Sequence, residues 1–149
     1  MVLRYIYGDW KDYHDIYEDD CYRKLIKGQE ENILLELLDI SSSTLEEWVS
    51  MRDFYLCQAT HIILLFSLID QTSIEFIHKY KDIIKNLKDT QKMTSNHLIL
   101  VGTKSDLQDP RQVTKEQGLE IANGIGCPYF EVSSKLNENV EEMFLELVS

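Results

Sequence analysis

Short apolar runs that alternate with amphipathic segments are the feature that most constrains the fold of this chain. Four of the runs have the length and apolar character of buried strands. They span residues 33–38, 62–69, 98–101 and 129–132. Strands that alternate with helices predict a mainly parallel central sheet with helices on both faces. We therefore expect one α/β domain of three layers, which comprises all 149 residues.

The segments between these runs carry helix and hairpin signals. Two of them begin with the residue pair of a capping box, Thr72 with Glu75 and Thr114 with Gln117. Behind Thr72, apolar residues at helical spacing predict one buried face, made of Phe76, Ile77, Tyr80, Ile83, Ile84 and Leu87. A similar stripe from 140 to 148 predicts a last helix. Segment 21–27 alternates and then meets Gly28, which predicts a β-hairpin into the strand at 33–38.

The charge balance limits the classes of partner. The formal net charge is −11, whereas nucleic acids and anionic membranes attract clustered Lys and Arg. We therefore expect no nucleic-acid partner. Three scattered cysteines, and no recognisable signal peptide, apolar span or C-terminal lipidation box, favour a reduced, cytoplasmic protein without a membrane anchor.

Two polar motifs follow the third and fourth strands. Thr103-Lys104-Ser105-Asp106 comes after the strand at 98–101, and Ser133-Ser134-Lys135 comes after the strand at 129–132. In an open α/β sheet, ligands lie beyond the carboxyl ends of the strands, so both motifs fall where a ligand would bind. A carboxylate such as Asp106 can accept two hydrogen bonds from guanine, and adenine offers no such pair of donors. Alternatively, Asp106 and Lys104 form an ordinary loop ion pair, and the second motif is a helix-entry turn.

With these motifs, the chain resembles a Ras-like small GTPase over nearly its whole length. That family reads N-K-x-D and S-A-K at the corresponding places, so Thr103 replaces Asn and Ser134 replaces Ala. The resemblance implies binding of GTP or GDP with Mg²⁺, GTP hydrolysis, and effector proteins. The residues that it assigns to the nucleotide are Thr103, Lys104, Asp106, Ser133, Ser134, Lys135 and Trp10. For Trp10, which would pack edge-on against the base, ordinary core packing is the alternative.

The phosphate site of that family is missing from the sequence. The family places Gly-x-x-x-x-Gly-Lys-[Ser/Thr] between its first strand and first helix, and these 149 residues contain no such run. Residues 1–10 resemble the later part of the first helix, so we expect an amino-terminally truncated chain. Losing four or more charge-assisted contacts would remove at least ~6 kcal/mol of binding free energy. The family's first strand would be missing too. In the family it lies between the strands that match 33–38 and 62–69, so its loss would leave apolar edges on both.

The two switch segments depart from the family as well. Tyr17 stands where the family has a Thr that reaches Mg²⁺, and Asp39-Ile40-Ser41-Ser42 stands where it has D-x-x-G-Q. Asp39 could serve Mg²⁺ through a water, or it is simply a strand-end carboxylate. Without a Gln to orient the attacking water, we do not expect GTP hydrolysis by this chain.

An acidic edge is the candidate surface for protein partners. Glu18, Asp19, Asp20 and Tyr22 resemble the effector-binding edge of the family, although a solvated loop would carry the same charges. Two hypotheses follow. The first is a guanine-nucleotide switch with impaired phosphate and Mg²⁺ binding, and the second is a non-catalytic pseudo-GTPase that acts by protein interaction. The four histidines show no metal-binding spacing and are expected to be structural.

Overall fold

The computed structural model describes residues 1–10, 20–27, 31–41, 47–93 and 97–148, with Asp20 described by its backbone alone. Helices and strands alternate along most of this length. In chain order they are α1 (Val2–Tyr7), β1 (Asp20–Lys27), β2 (Asn32–Asp39), α2 (Val49–Gln58), β3 (His61–Ser67), α3 (Ser73–Asp89), β4 (His97–Thr103), α4 (Lys115–Ile125), β5 (Tyr129–Val132) and α5 (Val140–Glu146).

A parallel sheet of three strands, in the order β3-β4-β5, lies at the centre of the fold. The side chains of β4 alternate between its faces, as the pleat of a strand requires. Leu100 packs with α2, α3 and α4 on one face, whereas Ile99 and Val101 pack with α1, α5 and the β1–β2 hairpin on the other. All three side chains are almost fully buried. The expectation of a three-layer α/β fold with a parallel sheet is therefore confirmed.

The predicted hairpin is also present. Strands β1 and β2 pair antiparallel along their whole length, from Asp20 opposite Asp39 to Lys27 opposite Asn32. This hairpin is a sheet of its own, because within the described residues β2 and β3 form no ladder with each other. Leu34 on β2 and Leu65 on β3 remain 57% and 43% exposed.

The two predicted capping boxes have different outcomes. At Thr114 the box is complete: the Thr114 hydroxyl accepts from the Gln117 amide at 3.2 Å, and the Gln117 side chain accepts from the Thr114 amide at 2.8 Å. At Thr72 the prediction is wrong: the Thr72 hydroxyl donates to the Asp70 carboxylate at 2.6 Å, and its side chain forms no capping hydrogen bond with the helix. The hydrogen bond from the Thr72 hydroxyl is the main reason why the pKa of the exposed Asp70 carboxyl is lowered. The Thr72 amide also donates to Asp70, at 3.0 Å, so the Asp70 carboxylate takes the place that the Glu75 side chain has in a capping box.

Helix α3 buries most of the predicted apolar face. Ile77, Tyr80, Ile84 and Leu87 belong to the core between α3 and the sheet, while Phe76 is 37% exposed. The helical turn places Phe76 beside the buried stripe rather than within it, so its inclusion in that face was wrong.

Candidate functional site

A cleft of about 500 Å³ opens at the carboxyl ends of β3 and β4, against the end of α1. Most residues of the two predicted motifs contribute to its wall. The lining comprises Met1, Leu3, Arg4, Asp9, Trp10, Leu65, Ile69, Thr103, Lys104, Asp106, Leu107, Ser134 and Lys135. The parallel order of β4 and β5 explains this convergence, because the ends of parallel strands meet at one edge of the sheet.

The loop after β4 is fixed by its backbone. Lys104 adopts a left-handed conformation with φ of 65°, and its carbonyl closes a turn by accepting from the Leu107 amide at 3.1 Å. The Ser105 amide donates to Val132 at the end of β5 at 3.1 Å. Thr103 donates its hydroxyl to the Phe66 carbonyl at 3.0 Å, so in this geometry its side chain joins β3 to β4. These contacts hold Asp106 at the cleft.

Ser133 orients the Asp106 carboxylate. Its hydroxyl donates to Asp106 Oδ1 at 2.7 Å and accepts from the Leu136 amide at 3.0 Å. Ser133 is fully buried, and its backbone exchanges two hydrogen bonds with Glu138 at 3.1 and 3.0 Å. The second carboxylate oxygen of Asp106 has no hydrogen-bond donor within the described part of the chain. Asp106 therefore presents an oriented acceptor to the cleft.

Trp10 and Lys135 meet across the cleft. The Lys135 ammonium lies 5.4 Å from the centre of the Trp10 ring, within the range of a cation–π contact. Trp10 is half-buried, and its amide donates to the Asp9 carboxylate at 2.8 Å. The structure thus places Trp10 in the wall of the cleft rather than in the core.

Arg4 is a lining residue that the sequence pattern did not reveal. Its guanidinium donates to the carbonyls of Ser134, Lys135 and Gly8 at 2.7, 2.9 and 2.7 Å. The first two contacts join residues about 130 positions apart in the chain. Nothing in the helical pattern of residues 2–7 indicates them. The cleft wall also includes the apolar side chains of Leu65, Ile69 and Leu107. The only sequence signal for these residues was their place at the ends of strands and in loops.

The sequence model that describes the Ras family matches this chain over residues 1–149. The chain belongs to the Ras family. Proteins of this family generally bind GTP or GDP with Mg²⁺.

The remaining predicted residues lie away from the cleft or outside the described part of the chain. Asp39 ends β2 opposite Asp20 and is not part of the cleft wall. Tyr22 is half-buried, packs with the core below α1, and meets Tyr7 edge-on at 6.3 Å. Four residues of the predicted switches fall outside the described residues: Tyr17, Glu18, Asp19 and Ser42.

The described residues of this Ras-family chain contain no evident ligand set for Mg²⁺. Within the described residues, no three side chains of His, Cys, Asp or Glu come close enough together to hold a metal ion. Asp39 belongs to no such group among those residues. The described residues therefore do not form a site that fits the metal of the family. Over the same residues, no helix is long and apolar enough to cross a membrane.

Proposed function

We propose that the cleft binds the guanine base of a nucleotide without turning over its phosphates. The observation that carries this proposal is the Asp106 carboxylate, which Ser133 orients at 2.7 Å while its second oxygen stays unpaired within the described residues. Guanine carries a ring N–H and an exocyclic amine side by side, and a carboxylate accepts from both. Adenine leaves this half-buried acceptor unmatched, and a mismatch of this kind lowers affinity by roughly 10⁴-fold in a well-formed site.

The other walls of the cleft suit the same base. Lys104 can lay its stem along one face of the ring, and Trp10 supplies an aromatic edge. The amide N–H groups of Ser134 and Lys135 have no acceptor among the described residues. We assign them to the guanine carbonyl at position 6. Trp10, Thr103, Lys104, Asp106, Ser133, Ser134 and Lys135 thus form the proposed site, with Thr103 and Ser133 supporting it from behind.

No comparable partners for the phosphates stand out among the described residues. The sequence contains no Gly-x-x-x-x-Gly-Lys-[Ser/Thr], and Asp39 is the residue that the family resemblance offers for Mg²⁺. Four lost charge-assisted contacts correspond to about 6 kcal/mol, or about four decades of affinity. We therefore propose weak binding of GDP or GTP and no hydrolysis, with Tyr17 and Ser42 in place of the family's switch residues.

A titration of the 149-residue chain tests base recognition. Guanosine and GDP with Mg²⁺ are added in parallel with adenosine and ADP, and the shift of backbone amides is followed by NMR. We expect guanosine to shift the Ser134 and Lys135 amides and adenosine to leave them in place. GDP should bind more weakly than micromolar. Equal binding of adenosine would refute base recognition, and micromolar GDP would refute the loss of phosphate affinity.

A substitution at Asp106 makes the test specific. Asp106→Asn replaces one acceptor with a donor, so it should lower affinity for guanosine and raise it for xanthosine, which has a carbonyl in place of the amine. Asp82→Asn is the matched control, because Asp82 is an exposed carboxylate on α3 outside the cleft. If both variants change guanosine binding alike, Asp106 does not read the base.

The second candidate is a cytoplasmic pseudo-GTPase that acts through its partners. The serine-rich run at 41–43, where the family has D-x-x-G-Q, favours it, and so does the acidic edge at 18–20 with Tyr22 beside it. All three cysteines are free, as a reducing compartment allows. Charge reversal of Glu18 and Asp19 to Lys tests this candidate. Loss of a cellular partner, with guanosine binding unchanged, would support it, and retention of every partner would reject it.

A further inference from the structure

We infer that Arg4 is a positioning residue that sets the selectivity of the base site for a 6-oxo purine. The inference rests on the proposed base recognition. Arg4 uses all three nitrogens of its guanidinium, and each one donates to a different backbone carbonyl: Ser134 at 2.7 Å, Lys135 at 2.9 Å and Gly8 at 2.7 Å. One rigid side chain therefore connects the end of α1 to the loop after β5.

The hydrogen bonds of Arg4 connect two opposite walls of the cleft. Gly8 closes α1 in a left-handed conformation, with φ of 68°, and Trp10 follows two residues later. On the other side, Lys135 lies over the Trp10 ring at 5.4 Å. The guanidinium thus fixes the spacing between the aromatic wall and the amide wall. A partial negative charge at the end of α1 also favours a cation at this place.

The geometry of the peptide bond gives Arg4 its effect on the base. In a trans peptide the carbonyl and the following amide point in opposite directions. When Arg4 holds the Ser134 carbonyl, the Lys135 N–H is directed away from Arg4. That N–H has no acceptor among the described residues, so it is available to a carbonyl of a ligand. Arg4 thus orients the Lys135 N–H toward a ligand without contacting the ligand itself.

Lysine is the informative substitution, because Arg4→Lys keeps the charge and much of the stem but cannot bridge three carbonyls. The matched control is Arg23→Lys, since Arg23 forms an exposed ion pair with Glu36 on the hairpin, outside the cleft. The first readout needs no ligand. Hydrogen exchange of the Leu136 amide, which donates to the Ser133 hydroxyl at 3.0 Å, should become about tenfold faster in Arg4→Lys. It should stay unchanged in Arg23→Lys.

The second readout compares ligands with and without the carbonyl that Arg4 is inferred to select. Guanosine carries the carbonyl at position 6 and the ring N–H, whereas 2-aminopurine riboside lacks both and keeps the exocyclic amine that faces Asp106. Arg4→Lys should weaken guanosine binding about tenfold and leave 2-aminopurine riboside nearly unchanged, so the preference for guanosine falls about tenfold. Equal losses for both ligands, or no loss for either, would overturn the selectivity role.

The two readouts also keep this inference apart from the proposed function. If the wild-type chain shows no preference for guanosine over adenosine, base recognition fails, and the role of Arg4 in selectivity fails with it. If that preference exists but Arg4→Lys changes neither Leu136 exchange nor the ratio of guanosine to 2-aminopurine riboside, only the role of Arg4 is refuted.

Discussion

Replacing Gly118 with alanine should destabilise the fold, although alanine is the better helix former. A Cβ at this position would overlap Cζ and Oη of Tyr129 and lie 2.7 Å from its Cε1. Distances this short require the ring or helix α4 to move. Overpacking of this kind costs about 1–3 kcal/mol, whereas the exchange of Gly for Ala inside a helix gains about 1 kcal/mol.

The Tyr129 ring has little freedom to move. Its face stacks on Phe66 at 6.2 Å between ring centres, and its hydroxyl donates to Glu131 at 2.9 Å. Burial first, and then Glu131, raise the pKa of Tyr129 well above its ordinary value. Arg111 holds Glu131 from the other side through contacts of 2.6 and 3.1 Å. A displaced hydroxyl would also lose a hydrogen bond to a charged acceptor, worth about 1.5–3 kcal/mol.

The net cost of Gly118→Ala is therefore about 2 kcal/mol or more, which corresponds to a fall in Tm of roughly 4–8 °C for a chain of this size. Urea unfolding followed by circular dichroism measures it. Gly124→Ala is the matched control on the same helix, because the nearest atom to its new Cβ is the flexible Lys81 ammonium at 4.0 Å. That variant should be unchanged or stabilised by up to about 1 kcal/mol.

A double-mutant cycle tests whether the Tyr129 ring causes the destabilisation. In a Tyr129→Leu background, the destabilisation by Gly118→Ala should shrink, since the contacting atoms are gone. The reasoning is refuted if Gly118→Ala matches Gly124→Ala in its free energy of unfolding, or if its cost is the same with and without the tyrosine ring.

Three further predictions concern pH, the cleft and the core. Burial first, and then His97, lower the pKa of His61, so the unfolded chain binds a proton at this residue more readily than the folded chain does. The free energy of unfolding should therefore fall as pH drops below about 6.5, and His97→Gln should reduce that fall, measured by urea titrations from pH 7.5 to 5.5. Ser133→Ala removes the donor to Asp106 at 2.7 Å, and we expect about 1–3 kcal/mol of destabilisation with weaker guanosine binding, measured by unfolding and by NMR titration. Phe144→Ala deletes a fully buried ring stacked on Tyr5 at 3.9 Å and should cost about 3–5 kcal/mol of unfolding free energy by calorimetry.

Periodicity predicted the layers of this fold because burial itself is periodic. The alternation in 21–27 and the apolar run at 33–38 sufficed for the hairpin, and the four short runs sufficed for the strand positions. Local hydrogen bonding was harder to predict, because a carboxylate nearby in the sequence can take the place of the capping side chain. The same motif forms a capping box at Thr114, while at Thr72 the Asp70 carboxylate takes its place.

The candidate site was predictable only in part. Its polar motifs follow strand ends, so their convergence at one edge of the sheet follows from the parallel order. The contacts behind them do not follow from local pattern. Arg4 contacts Ser134 across 130 positions of the chain, and the Thr103 hydroxyl joins the Phe66 carbonyl of another strand. Such pairs depend on packing between elements, which a single sequence does not display.

The separation of the two sheets has a consequence for local unfolding. Within the described residues no backbone ladder joins the β1–β2 hairpin to β3, and side chains such as Leu37 and Lys24 connect it to the rest. Lys24 donates to the Tyr5 carbonyl at 2.6 Å and lies 3.7 Å above the Tyr5 ring. The hairpin can therefore open as a unit while β4 stays intact, as a cooperative region of lower stability does. Its amides should exchange with solvent well before those of β4, and the opened strand would expose its backbone to any other extended chain nearby.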